Sequence, residues 1–346
     1  MPGRPRFRRH DPASHTRYQD LKQLAGTQAR VLAGTPGTLK QRTQSGKRYW
    51  VREHIRVDGS KVDEYLGAQA ALPHARLEEA RREVELAREL AAGSAQLRLF
   101  GYQRIDRKPA AVLEVFFNRA LHAAGLVLVG SHAYGVLLNE LGVIAAGYRT
   151  QDIDVARAAA LEVALPAGVT FARLLAESGL EFVPVPGMPS HRPSTSFKLP
   201  GRETLAVDLL VPGREVGAVV PVAELGAHAQ AIPLLDFLVA APLNAVVLSP
   251  NQVIPVKVPS PVRFVLHKLF SSQSRGSGRD KARKDLEQAA TLAAVLEEDT
   301  PGALADAYRG MPARGKSAAR RGARAAARLV EEAHPQAAET LEKMAR

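Results

Sequence analysis

The sequence predicts an α/β (α+β) protein with a small mixed sheet, a helical C-terminal part and a basic, β-rich N-terminal appendage. Three observations carry this. At 126–129 the apolar run LVLV passes straight into a segment whose Ala133, Tyr134, Leu137, Leu138 and Leu141 make one helical face. At 152–155 polar and apolar residues alternate, the period of a half-buried strand, and at 205–211 a single Asp interrupts an otherwise apolar strand. From 261 onward apolar residues return every three or four positions, as in Val262, Val265, Leu266 and Leu269.

With 346 residues, 46% of them apolar, the chain can build two domains or one domain with appendages. Cysteine is absent, which excludes disulfide frameworks and thiolate zinc sites. No apolar run approaches about 18 residues, and the opening MPGRPRFRRHDP is polar and turn-rich. A cytoplasmic protein without a membrane partner is therefore expected. The formal charge of +12 is uneven, because thirteen Lys/Arg in residues 1–56 stand against Asp11, Asp20 and Glu53 alone. Either RNA or DNA is the partner of residues 1–66, through its phosphates, or the block is a solvated basic tail.

In chain order, residues 1–66 read as a basic, partly disordered segment ending in a hairpin. Residues 1–20 are expected to be disordered, and KRYWVREHIR at 47–56, Asp58-Gly59 and 62–66 form the hairpin. Trp50 either stacks on bases or packs under the sheet. Residues 67–107 hold a helical connector or dimer helix, with Leu77, Ala80, Val84, Ala87 and Ala91 on one face. Residues 108–212 form the core, opened by a helix carrying Val112, Leu113, Val115 and Phe116. Residues 213–300 are a helical C-terminal part, and 301–346 a basic Ala/Arg-rich helical tail.

Chemistry concentrates in the core. Gly130 lets backbone approach a ligand, Ser131 can cap the following helix and offer a hydroxyl, and the first-turn N–H groups attract anions. GSHAYG is neither a dinucleotide fingerprint nor a P-loop. In TQDIDV at 150–155, Asp152 and Asp154 share one strand face while Ile153 and Val155 enter the core. Two carboxylates about 5 Å apart repel by roughly 3 kcal/mol at an effective dielectric near 20. Such a pair favours a cation, and Mg²⁺ takes oxygen ligands while leaving positions for phosphates. Asp208 in LAVDLLV lies between Ala206 and Leu210, where a carboxylate without a partner or metal is costly. Among the histidines, His132 and His191 are near enough to line a site, although polar core or surface positions explain them as well.

These residues resemble the polymerase-beta nucleotidyltransferase superfamily: a strand ending in Gly-Ser (VGS, 129–131), a helix, a strand with Asp-x-Asp (TQDIDV, 150–155), and a later strand with a third Asp (VDLL, 207–210). The likeness covers 112–211. Lys268, Arg279 and Lys284-Asp285 are similar to a helical segment of prokaryotic minimal and abortive-infection-toxin-type members, which would make an antitoxin a partner. About twenty residues separate Ser131 from Asp152, longer than in compact members, so a longer helix or inserted loop is expected there. The resemblance implies a small mixed sheet of nucleotidyltransferase type and transfer of an NMP from an NTP, with ATP among the candidates, to a hydroxyl on RNA, protein or a small molecule. It implies two Mg²⁺ ions on Asp152, Asp154 and Asp208, with Gly130 and Ser131 on the phosphates. Arg192 or Lys198 would neutralise phosphate charge, and Lys268 would contact nucleotide or else pair with Asp285. A non-catalytic nucleic-acid-binding or regulatory protein on the same fold is the alternative.

Overall fold

The computed structural model describes residues 4–147, 152–161, 169–187, 189, 192–201, 205–274 and 278–346. The chain opens with strand β1 (Phe7–Arg9) and helix α1 (Pro12–Ala25). Asp11 caps the helix, its Oδ1 accepting from the Ser14 amide at 2.9 Å, and Pro12 fits a first turn that has no N–H partner to lose. Most of 1–20, expected to be disordered, is thus regular structure. Aromatic anchoring is the reason. Phe7 and Tyr18 are buried, Tyr102 stacks on His10 at 3.8 Å and on Tyr18 at 5.2 Å, and the Tyr18 hydroxyl donates to Glu140 at 2.7 Å.

Next come β2 (Thr38–Gln44), β3 (Lys47–Ile55) and β4 (Lys61–Ala68), a three-stranded antiparallel sheet in that order. The hairpin read from 47–66 is β3-β4, and Trp50 is half-buried. Much of the N-terminal basic excess is internally matched: Arg9 meets Glu298 and Asp299, Lys22 meets Glu140, Arg30 and Arg52 meet Glu64, and Lys40 and Arg42 meet Glu53.

Helices α2 (His74–Leu99) and α3 (Arg107–Asn118) lead to the sheet that carries the site. There β5 (Val127–Val129) runs into α4 (Gly130–Glu140), then β6 (Val143–Ala145) and β7 (Asp152–Ala156). The extra length before Asp152 includes β6, which pairs antiparallel with β1 and ties the N-terminus to the core. Thr150 and Gln151 of the motif, like His191, lie outside the described residues. After α5 (Phe171–Ala176) come β8 (Val183–Pro184), β9 (Ser196–Lys198), β10 (Ala206–Pro212), β11 (Val219–Val222) and β12 (Ala227–Ile232). The main path of this sheet is β11-β12-β10-β7-β5, with β7, β10 and β12 parallel. Ile153, Val155, Val207 and Leu209 all project to the core face and are fully buried, so the alternate residues are forced to the opposite face.

The remainder comprises α6 (Leu235–Val239), the hairpin β13 (Leu243–Leu248) and β14 (Val253–Val258), and the helices α7 (Pro261–Ser274), α8 (Arg279–Asp299), α9 (Ala303–Arg309), α10 (Ala313–Val330) and α11 (Pro335–Ala345). Helices α7, α8 and α10 pack together. One contiguous apolar cluster runs from Phe7 through the sheet to Ala345.

Candidate active site

Strand pairing builds the site. In the parallel register of β7 and β10, Asp152 lies opposite Ala206 and Asp154 opposite Asp208. Residues side by side in a sheet share a face, so all three aspartates stand on the face that the core does not use. On the other edge of β7, Val129 pairs with Asp154, which sets Gly130 and Ser131 beside that carboxylate. Gly130 has φ +68°, and a β-carbon there would fall 1.9 Å from Asp154 Oδ2. Only glycine fits.

These groups open into a cleft of about 360 Å³ between the sheet face and helices α6, α7 and α8. Asp152, Asp154, Asp208, Gly130, Ser131 and Lys268 all line it. Its apolar lining includes Leu210 and Ile232 on the sheet and Leu235 and Phe264 on α6 and α7. Ser131 does not cap α4, because the helix already begins at Gly130 with Val129 in the cap position. Among the described residues no side chain caps α4, so its first-turn amides are available to an anion.

Arg192 and Lys198 are not brought to the cleft. Lys198 shares the sheet face of Asp208 but sits at the exposed end of β9, opposite Ala206, and Arg192 is exposed on the preceding turn. The cations that do line the cleft are Lys268 of α7 and Lys281 and Lys284 of α8. Lys268 Nζ donates to Asp285 Oδ1 at 2.5 Å and the Ser271 hydroxyl to Asp285 Oδ2 at 2.8 Å, so the ion pair weighed for Lys268 exists within the cleft wall. Lys281, Lys284 and Asp285 recur at helical spacing, which is the signal that could have marked Lys281 and Lys284 as cleft residues. His132 turns away. It is buried behind the site, and burial together with the nearby Lys284 charge pulls its pKa down to about 4.

Burial raises the pKa of Asp208, and the charge of Asp152 adds to this, while a hydrogen bond with Ser196 and the charge of Lys281 oppose it. Burial lowers that of Lys284, helped by Lys268 and opposed by Asp285, Asp154 and Asp152. Carboxylates and lysines thus lie within each other's fields. Among the described residues no three His, Cys, Asp or Glu side chains are arranged to enclose an ion unaided. An open row of oxygen donors still suits magnesium, whose shell is completed by water and substrate phosphates rather than by a protein cage.

A family model described as Nucleotidyltransferase matches residues 107–312, more than half of the chain. The chain belongs to this nucleotidyltransferase family. The match begins with α3 and ends just before α10, so it holds every cleft-lining residue named above. No curated protein and no solved structure matches the chain. Among the described residues, no helix of this nucleotidyltransferase is long and apolar enough to cross a membrane.

Proposed function

We propose that this enzyme moves a nucleoside monophosphate from an NTP to an acceptor hydroxyl, with Asp152, Asp154 and Asp208 as the Mg²⁺ ligands and pyrophosphate as the leaving group. The observation that carries the reading is the row of three carboxylates on one face of β7 and β10, beside a turn with no room for a side chain. When bound, Mg²⁺ would polarise the α-phosphate and offset the charge of the triphosphate. The side chains do the rest. As the acceptor oxygen bonds to the α-phosphorus and the bond to the pyrophosphate oxygen breaks, a carboxylate oxygen of Asp208 takes the hydroxyl proton. Lys281, Lys284 and the amides of the first turn of α4 meet the charge that gathers on the departing phosphates.

The test is label transfer from each α-labelled NTP in the presence of cell extract, followed by separation into RNA, protein and small-molecule fractions. Asp152→Asn and Asp154→Asn should each abolish transfer, because each keeps side-chain volume but removes a charge the cation needs. Their melting points without metal should equal or exceed that of the parent, since like-charge repulsion is relieved. Near-normal transfer by Asp152→Asn would remove the metal assignment.

A further inference from the structure

Helix α10 carries Arg314, Lys316, Arg320, Arg321, Arg324 and Arg328 and no acidic residue along its whole length. Its small residues Gly315, Ala319, Gly322, Ala323 and Ala326 are buried, and a β-carbon on Gly322 would meet the Leu269 carbonyl oxygen at 2.2 Å. The helix therefore lies directly on α7 and presents its arginines outward. Arg314, Arg321 and Arg328 recur every seven residues, with Arg324 between the last two, so they form one exposed ridge spanning about 21 Å at 1.5 Å per residue. Arg314 pairs with Asp236 of α6 at 2.8 Å, and α6 supplies Leu235 and Leu238 to the cleft. One end of the ridge therefore abuts an element of the site.

Three of the other arginines meet neutral oxygens. Arg320 donates to the Tyr308 hydroxyl, Arg321 to Ser317 and Arg324 to the Ala345 carbonyl. Among the described residues no carboxylate pairs with Arg320, Arg321, Arg324 or Arg328. A general abundance of arginine does not account for this. In α2 of the same chain Glu alternates with Arg, and Arg76 and Arg81 pair with Glu79 and Glu78. In α10 cations four residues apart repel one another with no acid between them, an arrangement that an external polyanion would relieve.

We propose that this ridge docks the phosphate backbone of a nucleic acid, which serves as the acceptor; the acceptor role rests on the proposed nucleotide transfer, whereas the docking does not. Arginine offers a planar fork of donors suited to phosphate oxygens. A lipid surface is disfavoured because the small apolar face of α10 is already buried on the protein, and Leu329 is the one large apolar side chain the helix exposes beside its arginines.

The experiment measures binding of the full chain, without NTP, to a fluorescein-labelled single-stranded RNA, a DNA duplex and anionic phosphatidylserine vesicles across a salt series. The variants are Arg321→Gln/Arg324→Gln/Arg328→Gln, the same three positions as Lys, and a control of equal charge loss on α2, Arg76→Gln/Arg81→Gln/Arg82→Gln. Loss of three phosphate contacts should reduce the salt slope by roughly 2 to 3. Between about 50 and 200 mM salt, the parent's affinity should then fall roughly 20- to 40-fold more than the glutamine variant's. The lysine variant should keep most of the slope, and the α2 control all of it. The RNA and duplex arms decide which nucleic acid is held. An unchanged slope in the α10 variant, an equal loss in the α2 control, or vesicle binding in place of nucleic-acid binding would overturn the proposal. Stabilisation by Mg-NTP, read on the same variants, should be unchanged. A parent chain that binds nucleic acid through α10 yet transfers no nucleotide would overturn the transfer reading and leave the docking intact.

Discussion

Replacing Gly130 with alanine tests the site where its geometry has least slack. Two separate effects follow from the structure. A non-glycine residue in the left-handed region costs about 1–2 kcal/mol. In addition, Asp154 Oδ2 would lie 1.9 Å from the new carbon, whereas ordinary contact begins at 3.4 Å, so the carboxylate must retreat by about 1.5 Å. Misplacement of about 1 Å near a reacting centre can cost on the order of a hundredfold in rate, and Gly130→Ala should lose at least that much. Gly46→Ala separates the two effects. Gly46 has φ +73° in the turn between β2 and β3, and nothing lies within 4 Å of a β-carbon there. It carries the backbone strain without the collision. In denaturant unfolding Gly46→Ala should lose about 1–2 kcal/mol and Gly130→Ala at least as much, but only Gly130→Ala should lose pyrophosphate release and stabilisation by Mg-NTP. If Gly130→Ala and Gly46→Ala release pyrophosphate equally well, the close approach of the turn to Asp154 has no part in the chemistry.

Lys281→Ala and Lys284→Ala should each raise the KM for NTP by roughly 10- to 100-fold, the worth of a hydrogen bond to a charged group, while Arg192→Ala and Lys198→Ala leave it unchanged; steady-state kinetics distinguishes the two pairs. Because the Lys281 charge holds the pKa of Asp208 down, its removal should also move the acid limb of the pH–rate profile to higher pH. Glu114 is buried, accepts from Gln252 at 3.0 Å, and is pushed by burial from 4.5 up to about 7. A raised acid stabilises the fold fully below pH 4.5 and loses that contribution as pH rises through 7. Against Glu114→Gln, which imitates the neutral form, the parent should lose up to about 3 kcal/mol between pH 4.5 and pH 8, and equal pH slopes in denaturant titrations would contradict this.

How much of this was legible in the sequence follows from how local each signal is. Asp152 and Asp154 share a face because strand geometry has a period of two, and Asp208 could be placed beside them because a carboxylate between apolar neighbours needs a reason. The start of α4 was misread by one position, since the sequence cannot say whether Ser131 precedes the first turn or lies in it. The order of residues 4–20 was invisible for a different reason. Phe7, His10 and Tyr18 are sparse in a basic stretch, and their partners Tyr102, Glu140 and β6 lie more than 80 residues away. Lys198 looked suitable because it is close to Asp208 in sequence and on the same sheet face, but β9 carries it to an exposed end. Lys281 and Lys284 are far away in sequence, and the packing of α7 on α8 brings them to the cleft.

The same distinction governs the charge. Counted along the chain, the cationic excess belongs to residues 1–56, and the natural inference is a phosphate-binding tail. Folding redistributes it. Arg9, Lys22, Arg30, Lys40, Arg42 and Arg52 meet carboxylates from α8, α4, α2 and the β2-β3-β4 sheet itself. A matched surface pair contributes little field at a distance, so these residues add less attraction for phosphate than their number suggests. Lys284 of α8 differs because a half-buried charge is screened less, and with Lys281 it lines the cleft of the aspartates that a metal–triphosphate would occupy. Arg320, Arg321 and Arg324 of α10 differ again, having neutral partners on an acid-free helix. The cations proposed for the triphosphate and those proposed for a polyanion thus stand on two adjoining helices, and a count of charge along the chain does not pick them out because it weighs number where folding decides pairing.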